Sequence, residues 1–184
     1  MSTAAFPSFV RRPSISLYVS MKPVWDADPA IGPIADKLIE EAKSPAVSYY
    51  DNPLATSFRS STDFHFLTGV QWVAHPGNII DFRDEIARPD DPLVAGIADF
   101  GYRSEQYSLH YDPSIEILAT TTFTGEHDPV TAGVTMPVVF KRRFGEGRIF
   151  YSALGHVPEE LSHPAARAFL ERGLLWATRR SGSR

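Results

Sequence analysis

Polar side chains suited to acid–base chemistry stand at predicted strand ends. His75 precedes a Pro-Gly turn, and His156 follows the apolar segment RIFYSALG. Glu105 and Tyr107 lie where the segment RSEQY enters a predicted strand. An imidazole with a carboxylate nearby could act as a general base or bind zinc. Because ligands of open α/β sheets bind beyond the carboxyl ends of the strands, the position of His156 favours it as a site residue.

Each of these residues also has a purely structural interpretation. A histidine at a strand end is typical of a loop hydrogen bond, and Glu105 could be a solvated charge at a strand entry. His163 is most simply a helix N-terminal residue, and His65 lies among aromatic residues typical of a core. The adjacent residues Tyr49 and Tyr50 could pack one ring on each face of a strand. The spacing of the histidines is too dispersed to be a metal signature by itself.

Several reaction classes have no support in the sequence. Neither GxxxxGK[ST] nor GxGxxG is present, so neither mode of nucleotide binding is indicated. There is no HExxH segment, and Ser152 lacks the flanking glycines of a nucleophile elbow. The absence of cysteine removes disulfides, thiolate metal sites and cysteine nucleophiles.

Composition and charge place the chain among ordinary globular proteins. The formal net charge of −4 over 184 residues gives no electrostatic footprint for nucleic acid. No apolar run approaches the roughly 18 residues of a membrane span, and residues 1–13 lack the apolar core of a signal peptide. We therefore expect a cytoplasmic protein with neither a nucleic-acid nor a membrane partner.

The pattern of apolar residues predicts one α/β domain over residues 14–178, after an irregular lead-in at 1–13 and before a basic flexible tail at 179–184. Apolar residues at helical spacing predict helices over 31–42, 61–69 and 166–177. Segments rich in β-branched and aromatic residues predict strands at 14–21, 44–53, 78–87, 106–111, 115–123, 136–144 and 148–155.

Four segments carry a resemblance to a known family: FLTGVQWVAHPG (66–77), ARPDDPLVAGIADF (87–100), SEQYSLHYDPSIEIL (104–118) and residues 137–177. They resemble the ThuA-like (trehalose utilisation) family, a branch of the class I glutamine amidotransferase-like superfamily. The last segment, with GEGRIFYSALGH and GLLWA, follows the family pattern GxGRVFYTALGH to GIxWA almost position for position. The resemblance spans roughly residues 45–178.

The resemblance implies a flavodoxin-like three-layer α/β domain with a mixed central sheet, shortened at its N-terminus. It implies a site for a small carbohydrate-like ligand at the strand ends. The residues carried over are His75, Glu105, Tyr107 and His156. We expect His156, Glu105 and His75 to act as catalytic residues. We expect Tyr107, together with Tyr50 and Asp51 of this chain, to bind the ligand. Some members look able to hold a divalent metal such as zinc, but no residue of this chain is assigned as a metal ligand.

Departures from the family pattern leave a second interpretation open. Tyr49, Tyr50 and Asp51 stand where the family has one or two histidines, and Asp91 stands where it typically has another. The chain could therefore be a non-catalytic binding or assembly subunit. The shortened N-terminus would leave a sheet edge that a homodimer could cover. A third interpretation is a role in a specialised biosynthetic pathway on a non-sugar substrate. An enzyme requires that His75, Glu105, Tyr107 and His156 converge in one pocket.

Overall fold

A computed structural model of the chain describes residues 16–17, 47–50, 62–144 and 147–178. The predicted lead-in, the predicted helix 31–42, Asp51 and the predicted tail lie outside the described residues. The elements, in chain order, are β1 (Ser16–Leu17), β2 (Val47–Tyr50), α1 (Thr62–Thr68), β3 (Val70–Ala74), β4 (Ile79–Ile86), β5 (Phe100–Glu105), β6 (Ser108–Tyr111), β7 (Glu116–Thr122), β8 (Thr135–Phe144), β9 (Gly147–Ser152) and α2 (Pro164–Thr178). Short 3-10 helices occupy Pro129–Thr131 and Pro158–Ser162.

Seven of the strands form one mixed sheet in the order β1-β2-β9-β8-β7-β4-β5. The neighbours β1, β2 and β9 are parallel, and the remaining pairings are antiparallel. Four antiparallel pairings separate β9 from β5, so these two strands run in the same direction. The carboxyl ends of β2, β5 and β9 therefore lie at the same edge of the sheet.

The sheet is the middle of three layers. Lys141 of β8 lies over the ring of Trp176 in α2, with its amine 5.5 Å from the ring centre. The next residue, Arg142, donates from Nη1 to the carbonyl oxygen of Phe66 in α1 at 3.2 Å. Because successive strand residues point to opposite faces, α1 and α2 cover opposite sides of the sheet. The predicted flavodoxin-like three-layer domain with a mixed sheet is thus confirmed.

The antiparallel pair β3–β6 lies on the α1 side. The backbone N–H of Leu109 in β6 donates to the sulfur of Met136 in β8 at 3.4 Å. This pair carries His75 and Tyr107 at its ends and holds them over the carboxyl edge of the central sheet.

Helix α2 packs closely on β9. All six residues of its predicted apolar face are buried: Ala166, Phe169, Leu170, Gly173, Leu174 and Ala177. A Cβ atom at Gly173 would collide with the ring of Phe150, so the close approach of helix and sheet requires glycine here. Burying a side chain such as Phe169 or Leu170 stabilises the fold by about 1.5–3 kcal/mol each. Within the described part of the chain, no helix is both long and apolar enough to cross a membrane.

Two strands were not predicted, β3 and β5. The segment of β5 contains glycine, arginine and serine, which have weak strand preference, and it is held by pairing with β4. The missed strand changes the placement of Glu105, which ends β5 instead of lying at the start of a strand. Tyr107, two residues after Glu105, directly precedes β6.

Asp84 is a carboxyl group inside the core. It lies on β4 between Phe82 and Ile86 on the same face and is 0% exposed. Neither of its carboxylate oxygens has a hydrogen-bond partner within the described residues. Burial without compensation disfavours the charged form and raises the pKa of Asp84 from 3.8 to about 8.

Candidate functional site

The carboxylate of Glu105 is the centre of the candidate site. Its side chain is 13% exposed at the carboxyl end of β5. The hydroxyl of Tyr107 donates to Oε2 at 3.0 Å. His156 places Nδ1 3.4 Å from Oε2, and His75 places Nδ1 3.7 Å from Oε1. The structure thus brings together all four residues whose convergence an enzyme would require.

Tyr107 supports the Glu105 carboxylate from the buried side of the site. Its side chain is only 2% exposed, and its ring lies edge-on to Trp72 of β3 with ring centres 6.4 Å apart. The His75 ring lies 6.3 Å from the Tyr107 ring and 5.5 Å from the Trp72 ring. This buried aromatic support fixes the direction of the tyrosine hydroxyl and, through it, the orientation of Glu105.

His75 is positioned by the turn between β3 and β4. The N–H of Asn78 donates to the carbonyl oxygen of His75 at 3.1 Å, and the ring of His127 packs against Gly77 in the same turn. Nδ1 of His75 is buried and has no hydrogen bond within the described residues. At 3.7 Å the nearby Oε1 of Glu105 is too distant for a hydrogen bond, so the contact between this imidazole and the carboxylate is electrostatic.

His156 is positioned by Gly155 and by Glu160. Gly155 has φ 103°, a left-handed conformation that lets the chain leave the sheet directly after β9. The backbone N–H of His156 then donates to Oε2 of Glu160 at 2.8 Å. The Ser104 hydroxyl donates to the same oxygen at 2.8 Å. One carboxylate oxygen therefore joins the loop that carries His156 to the strand that carries Glu105.

Glu160 was not among the predicted site residues. Its nearness to His156 in the segment GHVPEEL was the available signal. Only the 3-10 helix Pro158–Ser162, which folds the carboxylate back onto the His156 backbone, distinguishes it from the exposed Glu159.

The remaining predicted residues lie elsewhere. Tyr50 is the last residue of β2 and pairs with Tyr151 of β9, so its backbone stands at the same sheet edge as the site. Asp51 lies outside the described residues.

Access to the carboxylate is from the histidine side. Behind Glu105, a crevice bordered by Phe82 and Leu154 is closed to a molecule the size of water. His156, in contrast, is 39% exposed. A ligand would therefore approach Glu105 past the two imidazole rings.

The residues of the site do not fit a metal centre. Among the described residues, no group of three His, Asp or Glu side chains is arranged to hold a metal ion. The two imidazoles instead direct a ring nitrogen toward the carboxylate, and the third partner is a buried phenol. Two imidazole nitrogens and a carboxylate are donor types that zinc sites also use, but here each nitrogen faces the carboxylate and the three groups do not converge on one ion position. The arrangement is suited to proton transfer.

A sequence profile of the ThuA family, described as trehalose utilisation, matches residues 53–177. The chain belongs to the ThuA family. The match includes His75, Glu105, Tyr107 and His156. No protein of curated function matches the chain significantly.

Solved structures support the ThuA fold. A putative ThuA-like protein from Parabacteroides merdae superposes with a TM-score of 0.62 at 16% identity, over 82% of this chain and 67% of that protein. A putative ThuA-like protein from Bacteroides uniformis superposes with a TM-score of 0.57 at 17% identity, over 70% of this chain and 57% of that protein. The chain thus spans between about half and two thirds of the length of these ThuA-like proteins.

Asp91, at a position where the resemblance implies a histidine, has a structural partner. Its carboxylate forms a short ion pair with the Lys141 amine and accepts a hydrogen bond from the Leu93 N–H at 3.0 Å. Burial alone would raise the pKa of Asp91, but the hydrogen bonds from Lys141 and Leu93 and the nearby positive charges lower it below its ordinary value. The pair fastens the loop after β4 to β8.

Proposed function

We propose that this ThuA family member binds a small carbohydrate-like ligand beside Glu105 and catalyses proton transfer on a sugar derivative. The observation that carries the proposal is the convergence of Tyr107, His75 and His156 on one carboxylate at a strand-end edge. A carboxylate between two imidazoles can remove a proton on one side of a ligand while an imidazole supplies one on the other.

The step that this arrangement serves is proton abstraction next to a sugar carbonyl. Glu105 takes the proton from the carbon, and protonated His156 gives a proton to the carbonyl oxygen, which yields an enediol. Glu105 then gives its proton to the former carbonyl carbon, while His156 takes the hydroxyl proton from the oxygen on the first carbon. A new carbonyl forms there, and both side chains return to their starting states without any further reactant. Tyr107 orients Glu105 through its hydrogen bond, and His75 donates to a ligand hydroxyl. General acid–base groups in such positions contribute about 100- to 10,000-fold in rate.

Proton exchange in D₂O tests the proposal. Wild-type protein should exchange the carbon-bound proton beside the carbonyl of a keto-sugar, with D-fructose as the first of a panel, as followed by proton NMR. Glu105→Gln and His156→Ala should each lower the exchange rate at least about 100-fold. Glu85→Gln is the matched control, since Glu85 is exposed on β4 and outside the site. Unchanged exchange in Glu105→Gln would contradict the proposed role of the carboxylate.

A second candidate function is a non-catalytic binding or assembly subunit. It is favoured by the ion pair of Asp91 with Lys141, because a position where the resemblance implies a site histidine is here used to hold a loop. This candidate expects sugar binding without exchange, and a homodimer in sedimentation experiments. A stoichiometric metal in elemental analysis of the purified protein would count against it.

A further inference from the structure

A cleft of about 560 Å³ lies along β5, which is the last strand of the described sheet. Three consecutive residues of β5 line it. Gly101 and Arg103 face one side of the sheet, whereas Tyr102 faces the other. A cleft over a single face of the sheet could not contact both sets. The cleft therefore runs beside the edge of β5, where a further strand would lie about 4.8 Å away.

Two hydrogen bonds near the end of β4 show which backbone groups of this strand point toward β5. The Ile86 N–H donates to Oδ1 of Asp99, directly before β5, at 2.9 Å. The next N–H, that of Ala87, donates to the carbonyl oxygen of Leu118 in β7 at 2.9 Å. Because backbone direction alternates along an antiparallel strand, the even-numbered residues of β4 bond to β5 and the odd-numbered residues bond to β7.

The backbone groups of Gly101 and Arg103 consequently point away from β4 and toward the cleft. These residues pair with Arg83 and Asp81, which are odd-numbered residues of β4. Among the described residues, no strand beyond β5 takes up their N–H and C=O groups. A Cβ atom at Gly101 would meet nothing within 4 Å, so the space beside the strand is open. An open edge of this kind is a template for an added strand.

The wall of the cleft opposite this edge is acidic. It is formed by the 3-10 helix Pro158–Ser162 and the start of α2, and it carries Glu159 and Glu160. Oε2 of Glu160 already accepts two hydrogen bonds, whereas Glu159 is exposed and has no ion pair within the described part of the chain. The wall packs on the Tyr102 face of the sheet, since the Tyr102 hydroxyl donates to the Glu160 carbonyl oxygen at 3.2 Å.

These charges favour a single basic strand over a second copy of this chain. Antiparallel pairing of two β5 strands would put the Tyr102 face of both copies on the same side, so that Glu159 and Glu160 of the two walls would repel each other. A lone extended peptide brings no such wall, and a lysine opposite Tyr102 would face Glu159. On the other face, Arg103 and Asp81 already pair with each other at 2.6 Å.

We propose that the edge of β5 binds an extended basic peptide segment of another protein, which adds to the sheet as an antiparallel strand. The peptide residues opposite Gly101 and Arg103 exchange backbone hydrogen bonds with them. The residue between these two directs a lysine or arginine side chain to Glu159. In this mode of recognition, the main chain supplies affinity and alternate side chains supply specificity. The interaction is independent of the chemistry proposed at Glu105.

Amide hydrogen exchange of the isotope-labelled full chain tests the open edge. In the free protein, the amides of Gly101 and Arg103 should exchange rapidly, whereas those of Tyr102 and Ser104, which bond to β4, should exchange slowly. Saturation with the peptide acetyl-Thr-Val-Lys-Val-Thr-amide should slow exchange at Gly101 and Arg103 at least about tenfold. Protection of these two amides in the free protein would contradict the proposal, because the edge would then be covered by this chain or by a second copy.

Modified peptides test the backbone pairing. N-methylation of both valines removes the N–H groups that point to β5, and it should weaken binding at least about tenfold. N-methylation of the lysine is the matched control, because its N–H points away from β5, and the affinity should be nearly unchanged. Equal affinity of the two methylated peptides would overturn the antiparallel pairing.

A charge-reversed peptide tests the acidic wall. Replacing its lysine by glutamate should weaken binding at least about threefold at low salt. Glu159→Gln should narrow this difference between the two peptides. Glu85→Gln should retain the difference, since Glu85 is exposed on β4 and does not line the cleft. Equal affinity of the lysine and glutamate peptides for the wild-type protein would refute the basic specificity.

Gly101→Pro blocks the edge in the protein itself. Proline removes an outward N–H and no bond of the β4–β5 ladder, and Gly101 does not have a positive φ, so the strand should persist. Peptide affinity should fall at least about tenfold in this variant. Undiminished binding by the folded variant would place the peptide elsewhere and overturn the proposal. The N-methylated peptides test the same hydrogen bonds on the wild-type chain if the variant does not fold.

Discussion

The buried carboxyl group of Asp84 should make the stability of the protein fall as the pH rises. Its pKa is raised from 3.8 to about 8 in the folded state. Folded protein therefore retains a proton that unfolded protein releases between about pH 4 and pH 8. The contribution of Asp84 to the free energy of unfolding is then greatest below pH 4 and falls by about 1.4 kcal/mol per pH unit until about pH 8, where the loss ends.

The size of the effect follows from the same two values. Between pH 4 and pH 8 the loss amounts to roughly 6 kcal/mol, of which about 4 kcal/mol is already incurred at pH 7. Asp84→Asn keeps the shape and cannot ionise. The protonated carboxyl already leaves similar polar atoms unpaired, so the amide adds little cost. The variant should be more stable than wild type at pH 7 by up to about 4 kcal/mol.

Urea unfolding at half-unit steps from pH 4 to pH 9 measures the difference. Glu85→Gln is the control, because Glu85 lies on the same strand but is exposed. The difference in unfolding free energy between Asp84→Asn and wild type should widen with pH and level off near pH 8, and it should widen by more than the difference for Glu85→Gln. A constant difference for Asp84→Asn across this range would refute the assignment of an uncompensated buried carboxyl.

Two further substitutions test the packing of the fold and the support of the site. Gly173→Ala should lower the free energy of unfolding, measured in urea, by about 1–3 kcal/mol, because the new methyl group meets the ring of Phe150. Unchanged stability would contradict this and would mean that α2 can shift on β9 without cost. Glu160→Ala should move the amide signal of His156 and lower proton exchange on the keto-sugar panel, with partial rescue by Glu160→Gln, which retains an acceptor. The exposed neighbour provides the control, Glu159→Ala, which should leave the His156 signal in place.

The sequence predicted those elements whose packing follows a simple period. Helix α2 repeats small and apolar residues at helical spacing, and its burial matches that spacing. The segment of β4 also alternates, and period two places Asp84 on the face of Phe82 and Ile86, so the buried carboxyl could have been identified in advance. Strand β5 was missed because its residues have little intrinsic strand preference, and it exists through pairing with β4.

The site was only partly accessible to prediction for a different reason. His75, Glu105, Tyr107 and His156 could be chosen from strand ends and from the family resemblance. Their distances, however, depend on β5 and β9 running in the same direction, which is set by the order of strands in the sheet. No local pattern in the sequence encodes that order. The same holds for Glu160, whose part in the site depends on a turn of 3-10 helix.

The strand order also has a consequence for the folding kinetics. Glu105 of β5 and His156 after β9 are brought together by the successive pairings β5–β4, β4–β7, β7–β8 and β8–β9. The β4–β7 pairing is non-local, because β5 and β6 lie between these two strands in the chain. Such non-local pairings are slow to form, because the entropy of loop closure is lost before the contacts are gained. The contact between Glu105 and His156 should therefore form late in refolding, after the β8–β9 hairpin. Recovery of sugar binding during refolding would then report completion of the whole sheet.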